Sequence, residues 1–227
     1  MNFDNQGKYD VYMSGALTGL SPDQMMYATR EIYERVFDCC SSLGLKCYLP
    51  HKSETTPNKG TTHSKVWKTD KTKIIQCSVM VAYLGIPSFG VGSEIEMAHE
   101  GDVPIVLLCE KSRQESLSRL VLGNPAVVDI FLFDDPQEFE SDLKRQLIAI
   151  FSEKNFRIAA DDLNLRHSDE MKLKEPLDHL VNAVRSGANF RNFPSRPISV
   201  DDWKVRARVM MNTPGTDSSV DGLDRFI

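Results

Sequence analysis

A chain of 227 residues has room for one hydrophobic core, or for one domain with an appendage. Its 27 Lys and Arg against 32 Asp and Glu leave a formal net charge of −5, which argues against a surface built to coat a nucleic-acid polymer but not against a local pocket for a small anion. No apolar run is long enough to span a membrane, and the first ten residues lack the charged and apolar regions of a signal peptide. Cys39, Cys40, Cys47, Cys77 and Cys109 show no CxxC spacing and are expected to be reduced, mostly buried thiols. The expectation is a cytoplasmic protein with no cofactor, no bound metal, no nucleic-acid polymer and no membrane as partner.

In chain order, "YDVYMSG" alternates and ends in a glycine turn, as a first strand does. "SPDQMMYATREIYERVFDCCSSLG" reads as a helix: Ser21 caps it, Pro22 suits its first turn, Gln24 completes a capping box and Gly44 ends it. "LKCYLP" is a second strand, "HKSETTPNKGTTHSK" a polar loop, and "KVWKTDKTKIIQC" a helix. "SVMVAYLG" is a continuous apolar run, the pattern of a strand covered on both faces. A short helix follows, then "VPIVLLCE" as a fourth strand, "RQESLSRLVLGN" as a short helix or loop, and "DIFLFDD" as a fifth strand. "PQEFESDLKRQLIAIFSEK" closes this part as an amphipathic helix.

Strands separated by helices favour parallel pairing through right-handed crossovers. The predicted architecture is α/β: a doubly wound, flavodoxin- or Rossmann-like sandwich of about five parallel strands over residues 1–152. From residue 153 the composition shifts. A helix around Leu177–Val184, another opened by Ser199 and Asp201, and a loosely ordered end at 216–227 suggest a helical C-terminal appendage of unassigned role.

In such sheets the ligand sits beyond the carboxyl ends of the strands. The segments expected there are "SGALTG", "GIPSFGVGSE" and the stretch after "VLLCE". "GVGSEIEMAHE" first reads as a helix start, with Ser93 as cap and Glu96 completing a capping box. Glu94 is then the first helical residue, where the helix dipole favours its ionised form. A charged, desolvated carboxylate there can attack an electrophilic carbon. Glu100 is expected in solvent, and His99 as a surface or packing histidine.

"VYMSGALTG", "TDKTKIIQCSVMVAYLGIPSFGVGSEIEMAHEGDVPIVLL" and "SLSRLVLGN" together resemble the nucleoside 2-deoxyribosyltransferase superfamily, over about residues 9 to 135. "PSFGVGSE" is most similar to the branch of 2'-deoxynucleoside 5'-phosphate N-hydrolases. The resemblance implies that Glu94 is the nucleophile at C1' of the sugar, that Tyr12 orients its carboxylate, and that Asp70 contacts the sugar and protonates the leaving base. It also implies a substrate-binding set of Ser14, Gly15, Ala16, Thr18, Ser88, Gly90, Gly92, Ser118 and Asn124. Ser88 stands where the hydrolase branch binds the 5'-phosphate and the transferases carry an Asp. Ser118 matches a serine that reaches the phosphate from a neighbouring subunit, which implies a homodimer or higher homo-oligomer.

The departures concern the phosphate. Ala16 and Thr18 stand where the branch has Ser and Arg, so the forked donor best suited to phosphate is missing. Lys111, Arg113 and Arg119 are candidate substitutes. Cys77–Ser78 replaces the Ala-Asp that commonly opens the third strand. The expected activity is therefore hydrolysis of the base–sugar bond of a (2'-deoxy)nucleoside 5'-monophosphate through a glycosyl-enzyme intermediate. Base exchange on free deoxynucleosides, and a non-catalytic nucleotide-binding sensor or interaction module, are the alternatives.

Overall fold

The computed structural model describes residues 8–53, 56, 60–187 and 193–212. The expectation for 216–227, and part of that for the polar loop after the second strand, fall outside the described residues. The chain forms two compact units, Met1–Leu143 and Lys144–Ile227.

The first unit is built on a five-stranded, all-parallel sheet in the order β2-β1-β3-β4-β5, where β1 is Val11–Ser14, β2 Cys47–Tyr48, β3 Val79–Tyr83, β4 Ile105–Glu110 and β5 Val127–Phe133. The α/β reading of the sequence therefore holds. β3 and most of β4 are buried at every position, as their unbroken apolar runs require. The chain winds outward in one direction from β1 to β2 and in the other from β3 to β5. The reversal between β1 and β3 opens a crevice at their carboxyl ends, where open α/β sheets hold ligands.

Helices cover both faces of the sheet. On one face Tyr12, Met80, Ala82, Ile105 and Leu107 form a single apolar cluster with Ile74, Val91, Ile95 and Ala98. Ile74 comes from α3 (His63–Gln76), and the last three come from α4 (Phe89–Glu100), where they recur at helical spacing. On the other face Tyr33 meets Tyr83 edge-on, with ring centroids 6.2 Å apart.

The helix expected over 21–44 is three segments. α1 (Pro22–Tyr27) opens with the predicted capping box between Ser21 and Gln24, with bonds of 3.0 and 3.2 Å. Ala28–Tyr33 is then wound as a π-helix, and α2 (Glu34–Ser42) resumes the α-helix. The extra residue per turn shifts the face of the helix, and side-chain spacing in the sequence does not announce it. A 3-10 helix at Lys111–Ser116 and the one-turn α5 (Arg119–Leu122) occupy the "RQESLSRLVLGN" stretch.

The closing helix runs further than its amphipathic signal: α6 spans Gln137–Leu163, and the division between units falls within it, nine residues before the boundary at 152 expected from composition. The second unit has its own core of Phe156, Leu173, Leu177, Leu180, Trp203 and Ala207, drawn from α6, α7 (His167–Ser186) and α8 (Val200–Asn212). Ser199 opens α8 as expected, its hydroxyl accepting from the Asp202 N–H at 3.1 Å. Within this unit the buried Ser152 hydroxyl accepts from the Ile198 N–H at 2.9 Å, and its carbonyl accepts from Trp203 Nε1 at 3.0 Å.

Candidate active site

β1 brings two hydroxyls to the sheet's carboxyl end on the face that α4 covers. Side chains alternate along a strand, so Tyr12 and Ser14 share that face. Both are fully buried. Tyr12 donates to Glu94 Oε1 at 3.0 Å and Ser14 Oγ donates to Glu94 Oε2 at 2.5 Å. One carboxylate is thus gripped by both of its oxygens across 80 residues of sequence or more.

Burial pushes the Glu94 carboxyl up from its ordinary range to about 7. The Ser14 and Tyr12 hydroxyls pull it back, and the charge of Asp70 on α3 adds to the upward push. The Tyr12 phenol is held well above its usual range by burial first, then by the Glu94 and Asp70 charges, so it stays a neutral donor. Tyr12, Asp70 and Glu94, the catalytic set expected from sequence, therefore form one electrostatically coupled cluster.

The start of α4 differs from expectation, and with it the role of Ser93. The N-cap is Ser88, which is extended and accepts from the Val91 N–H at 3.4 Å. Ser93 lies inside the helix and donates back to the Phe89 carbonyl at 3.0 Å. Glu96 bonds His99 at 3.3 Å and Asn124 at 3.3 Å, so the Ser93–Glu96 capping box does not form. The segment after Pro87 goes helical at once, and the Ser-x-x-Val start outcompetes the later Ser-x-x-Glu pattern. Glu94 consequently sits in the second turn rather than at the first helical position. Burial overrides any benefit from the helix dipole, and its acidity is weakened rather than strengthened.

Gly90 and Gly92 are helical, not part of a tight turn. A Cβ on Gly92 would meet nothing within 4 Å, and one on Gly90 would meet only Ser88 Oγ at 3.5 Å. These two positions leave open space on the helix that carries Glu94.

The remaining expected residues divide. Ser14 is committed to Glu94 rather than left free for a substrate. Ala16 is buried, and its carbonyl accepts from the Tyr33 hydroxyl at 2.9 Å. A Cβ on Gly15 would lie 2.4 Å from the Tyr33 ring, so only glycine fits there. Thr18 is exposed just beyond, and Ser88 is half-buried at the mouth of α4. Ser118 is exposed at the start of α5. Asn124 donates to Glu96 and accepts from the Ala126 N–H at 2.9 Å, so it is tied to a local turn and not to Glu94. Of the proposed phosphate substitutes, Lys111 is engaged by Asp134 at 2.7 Å and Glu138 at 3.3 Å, while Arg113 and Arg119 are exposed.

Sequence reasoning missed several tyrosines. Tyr33 reaches the Gly15–Ala16 loop because the π-helix turns it there, and the Glu94 charge adds to burial in raising its phenol. Tyr48 stacks on Tyr12 with centroids 5.4 Å apart, and Lys73 lies over the Tyr9 and Tyr48 rings at 5.2 and 6.0 Å. The clustering of tyrosines at the ends of the first two strands was the available signal. Behind the β3–α4 loop, Tyr83 donates to Glu110 Oε1 at 2.5 Å. A Cβ on Gly85 would strike both side chains, so that pair anchors the loop that leads to Ser88.

No family model matches the chain. Two curated relatives carry the name "Putative 2'-deoxynucleoside 5'-phosphate N-hydrolase 1". That of Methanosarcina mazei is 28% identical over 124 residues, covering 53% of this chain and 71% of the relative. That of Methanosarcina barkeri is 27% identical over 118 residues, covering 51% and 69%. Among solved structures, the solution structure of BlsM is 25% identical and superposes with a TM-score of 0.52 over 72% of this chain and 98% of that one. The chain is thus similar to proteins named as 2'-deoxynucleoside 5'-phosphate N-hydrolases, a name that indicates an enzyme.

Proposed function

We propose that the first unit is an N-glycosidase that hydrolyses the base–sugar bond of a (2'-deoxy)nucleoside 5'-monophosphate through a glycosyl ester on Glu94. The observation that carries this reading is the double grip of Tyr12 and Ser14 on the Glu94 carboxylate, with Asp70 close enough to perturb it. The name of the two relatives, which specifies N-hydrolysis of 2'-deoxynucleoside 5'-phosphates, supports the same chemistry.

The two hydroxyls fix the carboxylate and leave its remaining lone pairs to attack C1'. As the C1'–O bond forms, the C1'–N bond breaks, and Asp70 delivers a proton to the departing base. Water, giving its proton to the Asp70 carboxylate as it attacks, then cleaves the ester and returns Glu94 to its carboxylate form. Tyr12 and Ser14 hold the carboxylate before the attack and again after the ester is cleaved. Ser88 and the backbone of Gly15 to Thr18 lie at the β1–β3 reversal, where a 5'-substituent would rest.

A second reading has its own observation. Thr18 offers only a hydroxyl and Lys111 is neutralised by two carboxylates, which favours a substrate without phosphate and base exchange between free nucleosides. Incubating the protein with deoxynucleosides and their monophosphates, with and without a free acceptor base, separates the two. Base release from monophosphates alone is expected. Exchange without net hydrolysis would establish the second reading. A folded protein that binds nucleotide without turnover would refute both and leave a sensor. Glu94→Ala is expected to abolish turnover while keeping the fold.

A further inference from the structure

The second unit holds a cleft of its own. The segment leading into α8 and the first two turns of that helix form an open cleft of about 400 Å³, lined by Phe193, Arg196, Pro197, Ile198, Asp202 and Arg206 among others. Small-molecule sites begin at about 300 Å³. The Arg206 guanidinium lies over the Trp203 ring, 5.1 Å from its centroid. Trp203 itself is fully buried and fixed by its bond to the Ser152 carbonyl. The guanidinium is thus held in place by a rigid platform.

Its Nη1 is buried with no hydrogen-bond partner among the described residues. A charged donor left unsatisfied out of water is costly, and such groups are normally paired. The nearest acid does not resolve this. Asp202 Oδ2 accepts from the Ser199 hydroxyl at 2.7 Å, and that bond is the main reason its carboxyl stays below the usual range. The Arg206 and Arg196 charges push it the same way, and these two cations line the cleft against one acid. Phe193, Pro197 and Ile198 supply an apolar wall opposite.

We propose that this cleft binds a small organic oxyanion, a phosphate monoester or carboxylate on a compact apolar body, with the charged end on Arg206 and Arg196 and the body against Phe193 and Pro197. A planar guanidinium fits either oxyanion in a forked geometry. The stacked ring below it limits the entropy lost on binding. The proposal stands whether or not the Glu94 site is an N-glycosidase.

The chain has two tryptophans, so Trp67→Phe in the full-length protein leaves Trp203 as the reporter directly beneath Arg206. Titrating phenyl phosphate and benzoate while following Trp203 fluorescence is expected to give a saturable change for at least one of them, with Kd below about 1 mM. Which of the two binds more tightly identifies the oxyanion. Phenol should produce no saturable change, and inorganic phosphate should bind more weakly than phenyl phosphate. Arg206→Gln and Arg196→Gln are each expected to weaken binding by about tenfold or more, since each removes a charge-assisted contact. Glu94→Gln should leave Kd unchanged. Arg196 is exposed, so its variant tests the proposal even if Arg206→Gln fails to fold by circular dichroism. Absence of saturation by either oxyanion, an unaltered Kd in Arg196→Gln, equal binding of phenol, or loss of the signal in Glu94→Gln would overturn it.

Discussion

Glu94 is held in a compromise between two demands. The proposed nucleophile must be ionised, and burial opposes ionisation, pushing the group up to about 7. The hydroxyls of Tyr12 and Ser14 offset part of that push by donating to the charged form. Turnover should therefore fall as pH drops through about 7, with an acid limb that belongs to Glu94. Tyr12→Phe removes one donor while preserving the stack on Tyr48. It should move the acid limb to higher pH and lower kcat/KM by about tenfold to a hundredfold, the worth of a hydrogen bond to a charged group. Ser14→Ala should do the same. An unmoved limb in both variants would mean that another group sets the pH dependence. Its place at a helix start together with the family resemblance pointed to Glu94, but its weakened acidity was not legible. That follows from the depth of its environment and from Asp70, which lies on a different helix.

At the scale of elements, Gly15 and Gly92 are glycines for opposite reasons. Gly15 is required by packing: a methyl there meets the fully buried Tyr33 ring at 2.4 Å. Gly15→Ala should destabilise the fold by about 1–3 kcal/mol and abolish turnover, because the β1–α1 loop has nowhere to move. Gly92 is required by nothing in the protein. It sits inside α4, where glycine costs about 1 kcal/mol relative to alanine, and faces open space. Gly92→Ala should raise the melting temperature yet raise KM, if the space it opens is where substrate lies. Thermal melts and steady-state kinetics on the same sample check both signs, and a stabilised variant with wild-type KM would remove Gly92 from the site. These elements were only partly legible. The Ser21–Gln24 box was read correctly because its pattern stood alone. The start of α4 was misread because two capping patterns lie five residues apart, and spacing does not say which one the preceding loop will present. The π-helix left no trace in the apolar periodicity, so Tyr33 was not expected at the site.

For the whole molecule, the parallel sheet was legible because strands buried on both faces must be continuously apolar, and "SVMVAYLG" and "VPIVLLCE" are. The second unit's core was less so, since Leu173, Leu177 and Leu180 pack in one cluster with Trp203 across a stretch of sequence that carries no apolar period. One consequence of the site extends to global stability. In the unfolded chain Glu94 titrates at its ordinary 4.5, and in the folded protein at about 7. Between those values the folded state holds more protons than the unfolded one, so folding stability from this group is fully present below pH 4.5 and falls as pH rises through 7. His51 works in the other direction. Burial lowers its folded value, so its contribution is lost as pH falls through the ordinary histidine range. The wild-type profile mixes the two, and the difference between wild type and Glu94→Gln isolates the carboxylate. Gln keeps the shape of Glu94 without its charge. The variant should match wild type at pH 4.5 and exceed it at pH 8 by on the order of 1–2 kcal/mol, discounted because the side chain is partly exposed. Urea denaturation at both pH values measures this directly. A gain of the same size at pH 4.5 would mean that packing, not charge, is the source. No gain at pH 8 would mean that the two hydroxyls fully compensate the burial of the nucleophile.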